Sequence, residues 1–207
     1  MLFLNSDSLI ILKMRVKEGN KEADILRAAI KVFAEHGFHT AKIFKIAEEA
    51  NVATGSIYLY YKNKDAILAT IFEQLWESFA NEIIVLHGRT DITPVEKLDF
   101  LIDFIFDTFS SEPHLAVVFV NEQQNATKLY GKSFEEYDKF LQFGEKIIDD
   151  GKNAGFFNPN IDVKVLRFFL LGGVKNLLDQ WAKDNKTFSL SLLRQNVKQI
   201  LKRGVLI

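Results

Sequence analysis

Few residues in this chain have the types and spacing for bond-making chemistry. The four histidines, His36, His39, His87 and His114, are scattered, and the two nearest each other, His36 and His39, are separated by a glycine turn rather than sharing a helix face. Cysteine is absent, which removes disulfides, thiolate metal sites and thiol nucleophiles together, and suits a reducing cytoplasm. No phosphate-cradling glycine loop, nucleophile elbow or His-x-x-x-His pair occurs. Asp99, Asp103 and Asp107 recur every four residues. Hard cations take carboxylates, but on an amphipathic helix this spacing reads as one solvated stripe. The expectation is a protein that binds rather than catalyses, with no cofactor and no metal.

Charge points to one end of the chain. The net charge of the 207 residues is −1, yet residues 14–68 hold nine Lys/Arg against seven Asp/Glu, while residues 69–207 hold sixteen against nineteen. Lys13, Arg15, Lys17 and Lys21 stand close together near the start of the first helix. Such an arm can neutralise phosphates, and it can equally be a solvated tail. No apolar run approaches the roughly 18 residues that a membrane span needs. Residues 1–13 are largely apolar but lack a basic leading region and are interrupted at Asn5, Ser6, Asp7 and Ser8. They read as an extension and not as a signal peptide, with Met14 as an alternative start.

Apolar residues recur at three-four spacing almost throughout, and strand signals are nearly absent. The periodicity predicts helices over about 20–36, 43–50, 54–61, 64–87, 93–110, 113–128, 133–154, 162–182 and 189–203. The first buries Ile25, Ala28, Ala29, Val32 and Phe33 and stops at Gly37. Asn63 caps the long fourth helix, and Gly88 ends it. Thr93-Pro94-Val95-Glu96 is a capping box with a first-turn proline, and Ser133 opens a second such box.

Two short helices joined by a tight turn and held by longer neighbours make a helix-turn-helix, here over Ile43 to Lys62. Ile46, Ala47, Ala50, Val52 and Ile57 have the spacing of its small core, with Ala47 where two helices cross too closely for a larger side chain. Asn51 takes the turn position that needs a left-handed backbone. Tyr61 is expected in the core.

On these residues the chain resembles the TetR (tetracycline-repressor-like) family of bacterial regulators. The resembling stretch runs from Ile25 to Ile71 and includes Ala28–Phe38 (AAIKVFAEHGF), Ile46–Val52 (IAEEANV) and Gly55–Asp65 (GSIYLYYKNKD). Two positions depart from the family pattern. Asn51 replaces the usual glycine, and Ala53 replaces the usual Ser/Thr at the start of the recognition helix, which would shift the cap to Thr54. The resemblance implies that this helix enters the major groove. Thr54, Gly55, Ser56 and Tyr58 would lie at or near bases, and Thr40, Lys42, Tyr60 and Lys64 at phosphates. It further implies an all-α chain of about nine helices. Residues 14–65 would form the three-helix DNA-binding domain and 66–207 a helical effector-binding and dimerisation domain.

In the second part, the last two helices resemble the family's four-helix dimer interface. Leu166, Leu170, Gly173, Leu177, Val197 and Ile200 would sit in it, and Gly172-Gly173 would allow close helix approach. Phe104, Phe119, Phe169 and Trp181 would line an apolar effector pocket, although so phenylalanine-rich a chain can equally use these rings as packed core. Pro113–Asn125 and Phe169–Trp181 are similar to the regulators of fatty-acid degradation that respond to long-chain acyl-CoA. The function implied is a homodimeric repressor on a palindromic double-stranded operator, released by a small apolar effector, with no membrane partner. The alternative is a DNA-binding protein of the same fold, architectural or partner-regulated, with no effector.

Overall fold

The computed structural model describes residues 21–130, 135–183 and 189–206. Among them the chain forms α1 (Lys21–His36), α2 (Ile43–Glu49), α3 (Thr54–Ile57), α4 (Lys64–Gly88), α5 (Pro94–Ser111), α6 (Pro113–Tyr130), α7 (Glu135–Asn153), α8 (Val163–Lys183) and α9 (Leu190–Val205). The described residues contain no strand, and one isolated antiparallel bridge joins Phe157 to Leu206. No helix among them is long and apolar enough to cross a membrane. The expected extension over 1–13, the arm residues Lys13, Arg15 and Lys17, the helix start at Asn20 and the Ser133 cap lie outside the described residues.

Local chemistry sets most of the boundaries. Gly37 stands at φ 76° and its N–H donates to the Phe33 carbonyl at 2.9 Å, the left-handed stop that its type favours. Asn63 Oδ1 accepts from Ala66 N at 2.9 Å and caps α4. In the capping box before α5, Thr93 N donates to Glu96 Oε2 at 2.8 Å and Glu96 N donates to Thr93 Oγ1 at 3.3 Å. The bonds from Thr93, backbone first, hold the Glu96 carboxyl below its usual range. Asp162 and Ser189 cap α8 and α9 in the same way, accepting from Val165 N at 2.9 Å and Leu192 N at 3.1 Å.

The helices sort into two compact units. The described residues of Met1–Leu75 and Ser111–Phe134 make the first, and those of Trp76–Ser110 and Glu135–Ile207 the second. In the first, α1 packs on α2 and α6. Its buried face holds the five expected residues together with Ala23, Leu26 and Ile30. Phe119 of α6 stacks on Phe72 with ring centroids 6.3 Å apart. In the second unit, Phe79 meets Phe104, Phe109 and Phe140 at 5.5, 6.2 and 5.6 Å.

The second unit corrects one expectation. Asp99, Asp103 and Asp107 are not simply solvated. Lys202, Lys198 and Arg194 of α9 reach them at 2.7, 2.5 and 2.6 Å, so acids spaced by four on α5 meet bases spaced by four on an antiparallel α9.

Candidate nucleic-acid interface

The interface is built on a buried frame. Ile46, Ala47 and Ile57 are fully or almost fully buried, which fixes α2 against α3. Asn51 sits at φ 53° in the turn between them, and Val52 N donates to Ala47 O at 3.0 Å. A residue with a side chain ordinarily loses about 1–2 kcal/mol in this region, and asparagine is the commonest exception after glycine.

The recognition helix is shorter than expected. It runs only from Thr54 to Ile57, and the chain leaves it in a tightened turn, with Leu59 N on Ser56 O at 3.3 Å and Tyr60 N on Ile57 O at 3.0 Å. Ala53 keeps the N-cap position and offers no side-chain bond, so the cap does not move to Thr54. Ile57 and Tyr61, four residues apart, both point inward. The Tyr61 hydroxyl donates to Glu22 Oε1 at 3.3 Å; burial first, then the Glu22 carboxylate, push this phenol above its usual range. With 57 and 61 anchored, Tyr58, Leu59 and Tyr60 are all exposed.

The groups expected at DNA divide into two sets. Thr54, Gly55 and Tyr58 are exposed and Ser56 is half-buried; none of these side chains has a hydrogen-bond partner among the described residues, and a Cβ at Gly55 would meet nothing within 4 Å. Tyr60 and Lys42 are likewise exposed and unpaired. Thr40 and Lys64 are engaged elsewhere. The Thr40 hydroxyl donates to the carbonyls of His36 and Gly37 at the end of α1. Lys64 Nζ donates to the carbonyls of Phe38, His39 and Ala41 at 2.7, 2.8 and 3.4 Å and lies 4.7 Å from the centre of the Phe38 ring. An ammonium has three protons, and all are used. Lys64 therefore ties the start of α4 to the α1–α2 loop, a different task from the phosphate contact that the resemblance implies. Lys62, which sequence reasoning passed over, is exposed and unpaired among the described residues, whereas Lys31 and Lys45 pair with Glu49 and Glu48 at 2.7 and 2.9 Å. The Lys45 pair is local, three residues apart, whereas only long-range contacts reveal that Lys31 and Lys64 are spent.

Of the expected pocket residues, Phe119 belongs to the first unit and Phe104 to the second, Trp181 is half-buried, and Phe169 is exposed. A cavity of about 340 Å³ in the first unit is lined by Asp24, Arg27, Lys31, Glu49, Glu112 and His114 among others, and by none of those four. Of the expected interface residues, Leu166 and Val197 are buried within their own unit, Leu170 and Leu177 are half-buried, and Gly173 and Ile200 are exposed. The apolar side chains that α8 turns outward are instead Val165, Phe168 and Phe169, beside Gly172 and Gly173, where added Cβ atoms would meet nothing within 4 Å.

Comparison with known proteins covers residues 25–204 with two family profiles. The profile of bacterial regulatory proteins of the tetR family matches residues 25–71, and that of the YsiA-like protein C-terminal region matches 72–204. The chain is 30% identical over 186 residues to the fatty acid metabolism regulator protein of Bacillus subtilis, covering 89% of this chain and 95% of that one. The fatty acid degradation regulator FadR of Bacillus halodurans superposes with a TM-score of 0.79 at 32% identity, covering 91% of this chain and 97% of that one. FadR of Bacillus subtilis in complex with stearoyl-CoA superposes at 0.76 with 29% identity, covering 87% and 97%.

Proposed function

Because the chain belongs to the TetR family of bacterial regulatory proteins, a DNA-binding helix-turn-helix group whose relatives are regulators and not enzymes, we propose that it is a homodimeric repressor that binds a palindromic operator and releases it on binding long-chain acyl-CoA. The observation that carries the effector is the similarity, over nine-tenths of the chain, to a regulator solved with stearoyl-CoA. Phe104 and Trp181, both half-buried in the second unit, are the effector contacts this reading keeps.

The outward face of α8 and α9 supports the dimer. Phe168, Phe169 and Ile200 are 66%, 65% and 60% exposed, and Gly172-Gly173 let a partner helix approach closely. Two-fold pairing places two recognition helices one or more DNA turns apart, which lengthens the site read by so short a helix. At the DNA, Thr54, Ser56 and Tyr58 take base edges, and Lys42, Tyr60 and Lys62 take phosphates. Acyl-CoA favours a second spacing of the recognition helices, with α4, which contributes to both units, as the lever.

The test is a binding titration against DNA upstream of the protein's own gene, with and without stearoyl-CoA. The expected outcome is salt-sensitive binding that stearoyl-CoA weakens at least tenfold, a coupling of about 1.4 kcal/mol. Tight DNA binding that stearoyl-CoA leaves unchanged removes the effector and returns the reading to an architectural protein of the same fold.

A further inference from the structure

Among the described residues of the first unit, the exposed large apolar side chains are Phe44, Tyr58, Leu59 and Tyr60, and all four fall within the helix-turn-helix. Single exposed apolar side chains are ordinary on protein surfaces, but their confinement to one functional segment is not. The two tyrosines carry hydroxyls that justify their exposure. Leu59 and Phe44 carry no polar atom beyond the backbone, yet they are 83% and 54% exposed.

Both are held out rather than left loose. Leu59 lies between Ile57 and Tyr61, whose burial fixes the backbone on either side. Phe44 is in the first turn of α2, with Lys45 Nζ 5.6 Å from its ring centre. The loop leading into that turn is the one Lys64 fastens to the start of α4. The same lysine thus brings the Tyr58–Tyr60 segment and the approach to Phe44 onto a common frame.

An apolar side chain pressed against a hydrogen-bonding base edge would strip that edge of water without replacing the bond. In the major groove one base differs: thymine presents a C5-methyl group. We propose that Leu59 and Phe44 are specificity-determining residues that read thymine methyl groups, one each per half-site, beside the hydroxyl and phosphate contacts. This rests on the operator reading above.

The experiment uses the full chain and a duplex that it selects from a randomised library, resynthesised with single thymines replaced by deoxyuridine, which lacks only the methyl. Wild-type protein is expected to lose about fourfold in affinity at two thymine positions of a half-site, the worth of one buried methyl each. Leu59→Ala abolishes that sensitivity at one position and Phe44→Ala at the other, so each loss is not compounded by the matching deoxyuridine. Equal binding of thymine and deoxyuridine duplexes by wild type overturns the proposal. So does full methyl sensitivity in both variants, or a selected half-site with no thymine. A chain that is folded by circular dichroism but selects no sequence fails the operator reading itself, and this proposal with it.

Discussion

The helix-turn-helix and the α8–α9 pair both expose large apolar side chains, and the polar groups beside them differ in kind. Around Leu59 and Phe44 stand hydroxyls (Thr54, Tyr58, Tyr60) and unpaired cations (Lys42, Lys62). The helices that carry Phe168, Phe169, Leu192 and Ile200 expose amides at Asn176, Gln180, Gln195, Asn196 and Gln199 and a lysine at Lys164, and the Arg167 guanidinium, paired with Glu145, lies 4.5 Å from the centre of the Phe168 ring. A polyanion with base edges asks for the first mixture. A second copy of a protein surface, where aromatic rings and arginine are enriched, suits the second. The companions of an exposed apolar residue therefore say more about its partner than its exposure does.

The most direct way to break this contrast is to put a carboxylate on the exposed apolar face of α8. Phe168→Glu places a carboxylate in the centre of the proposed dimer interface twice over. Dimer dissociation is expected to rise at least 100-fold, or about 3 kcal/mol, in sedimentation analysis, with helicity unchanged and operator affinity falling with the dimer. Leu59→Glu is the counterpart: the dimer persists and DNA binding is lost. A Phe168→Glu protein that dimerises normally would show that the α8–α9 face has another partner.

The lysines of the first unit sharpen the contrast further, since only the unpaired ones are free for a polyanion. Lys64→Met leaves three carbonyls without their charged donor and is expected to cost about 2 kcal/mol of unfolding free energy, measured by denaturant titration, while the salt dependence of DNA binding keeps its slope. Lys62→Ala should do the reverse, with stability unchanged and the log–log salt slope reduced by about one. If Lys64→Met flattens the slope and leaves stability intact, Lys64 is a phosphate contact after all.

What was legible in the sequence follows the same division between local and long-range causes. The stops at Gly37 and Asn51, the Asn63 cap and the Thr93–Glu96 box depend on a residue and its near neighbours, so type and spacing suffice to place them. Lys64 is 23 to 26 positions from the carbonyls it holds, and nothing in its neighbourhood announces them. The recognition helix ends early because Tyr58 to Tyr60 follow a tightened turn that apolar spacing does not distinguish from a continuing helix. On α8 the apolar pattern is two-sided, with Leu166 and Leu178 buried and Val165, Phe168 and Phe169 exposed. Periodicity selects one stripe and does not tell which of the two faces the protomer's own core and which is left exposed.

The ladder between α5 and α9 carries the smallest expected effect and the finest version of the contrast. Charges in the first unit are partly left free, whereas those of Arg194, Lys198 and Lys202 are spent on Asp107, Asp103 and Asp99 of the same chain. These pairs are partly exposed, so each is worth only about 0.2–1 kcal/mol. Asp103→Asn, Lys198→Met and the double variant, compared in a thermodynamic cycle, should give a coupling near 0.5 kcal/mol that fades above roughly 0.5 M salt. The ladder also sets the roll of α9: with its basic side held to α5, Leu192 and Ile200 remain on an exposed side. If that is its main role, Asp103→Asn weakens the dimer by more than it weakens the fold. A cycle showing coupling in stability and none in dimerisation would mean that apolar packing by Leu193, Val197 and Leu201 alone orients α9.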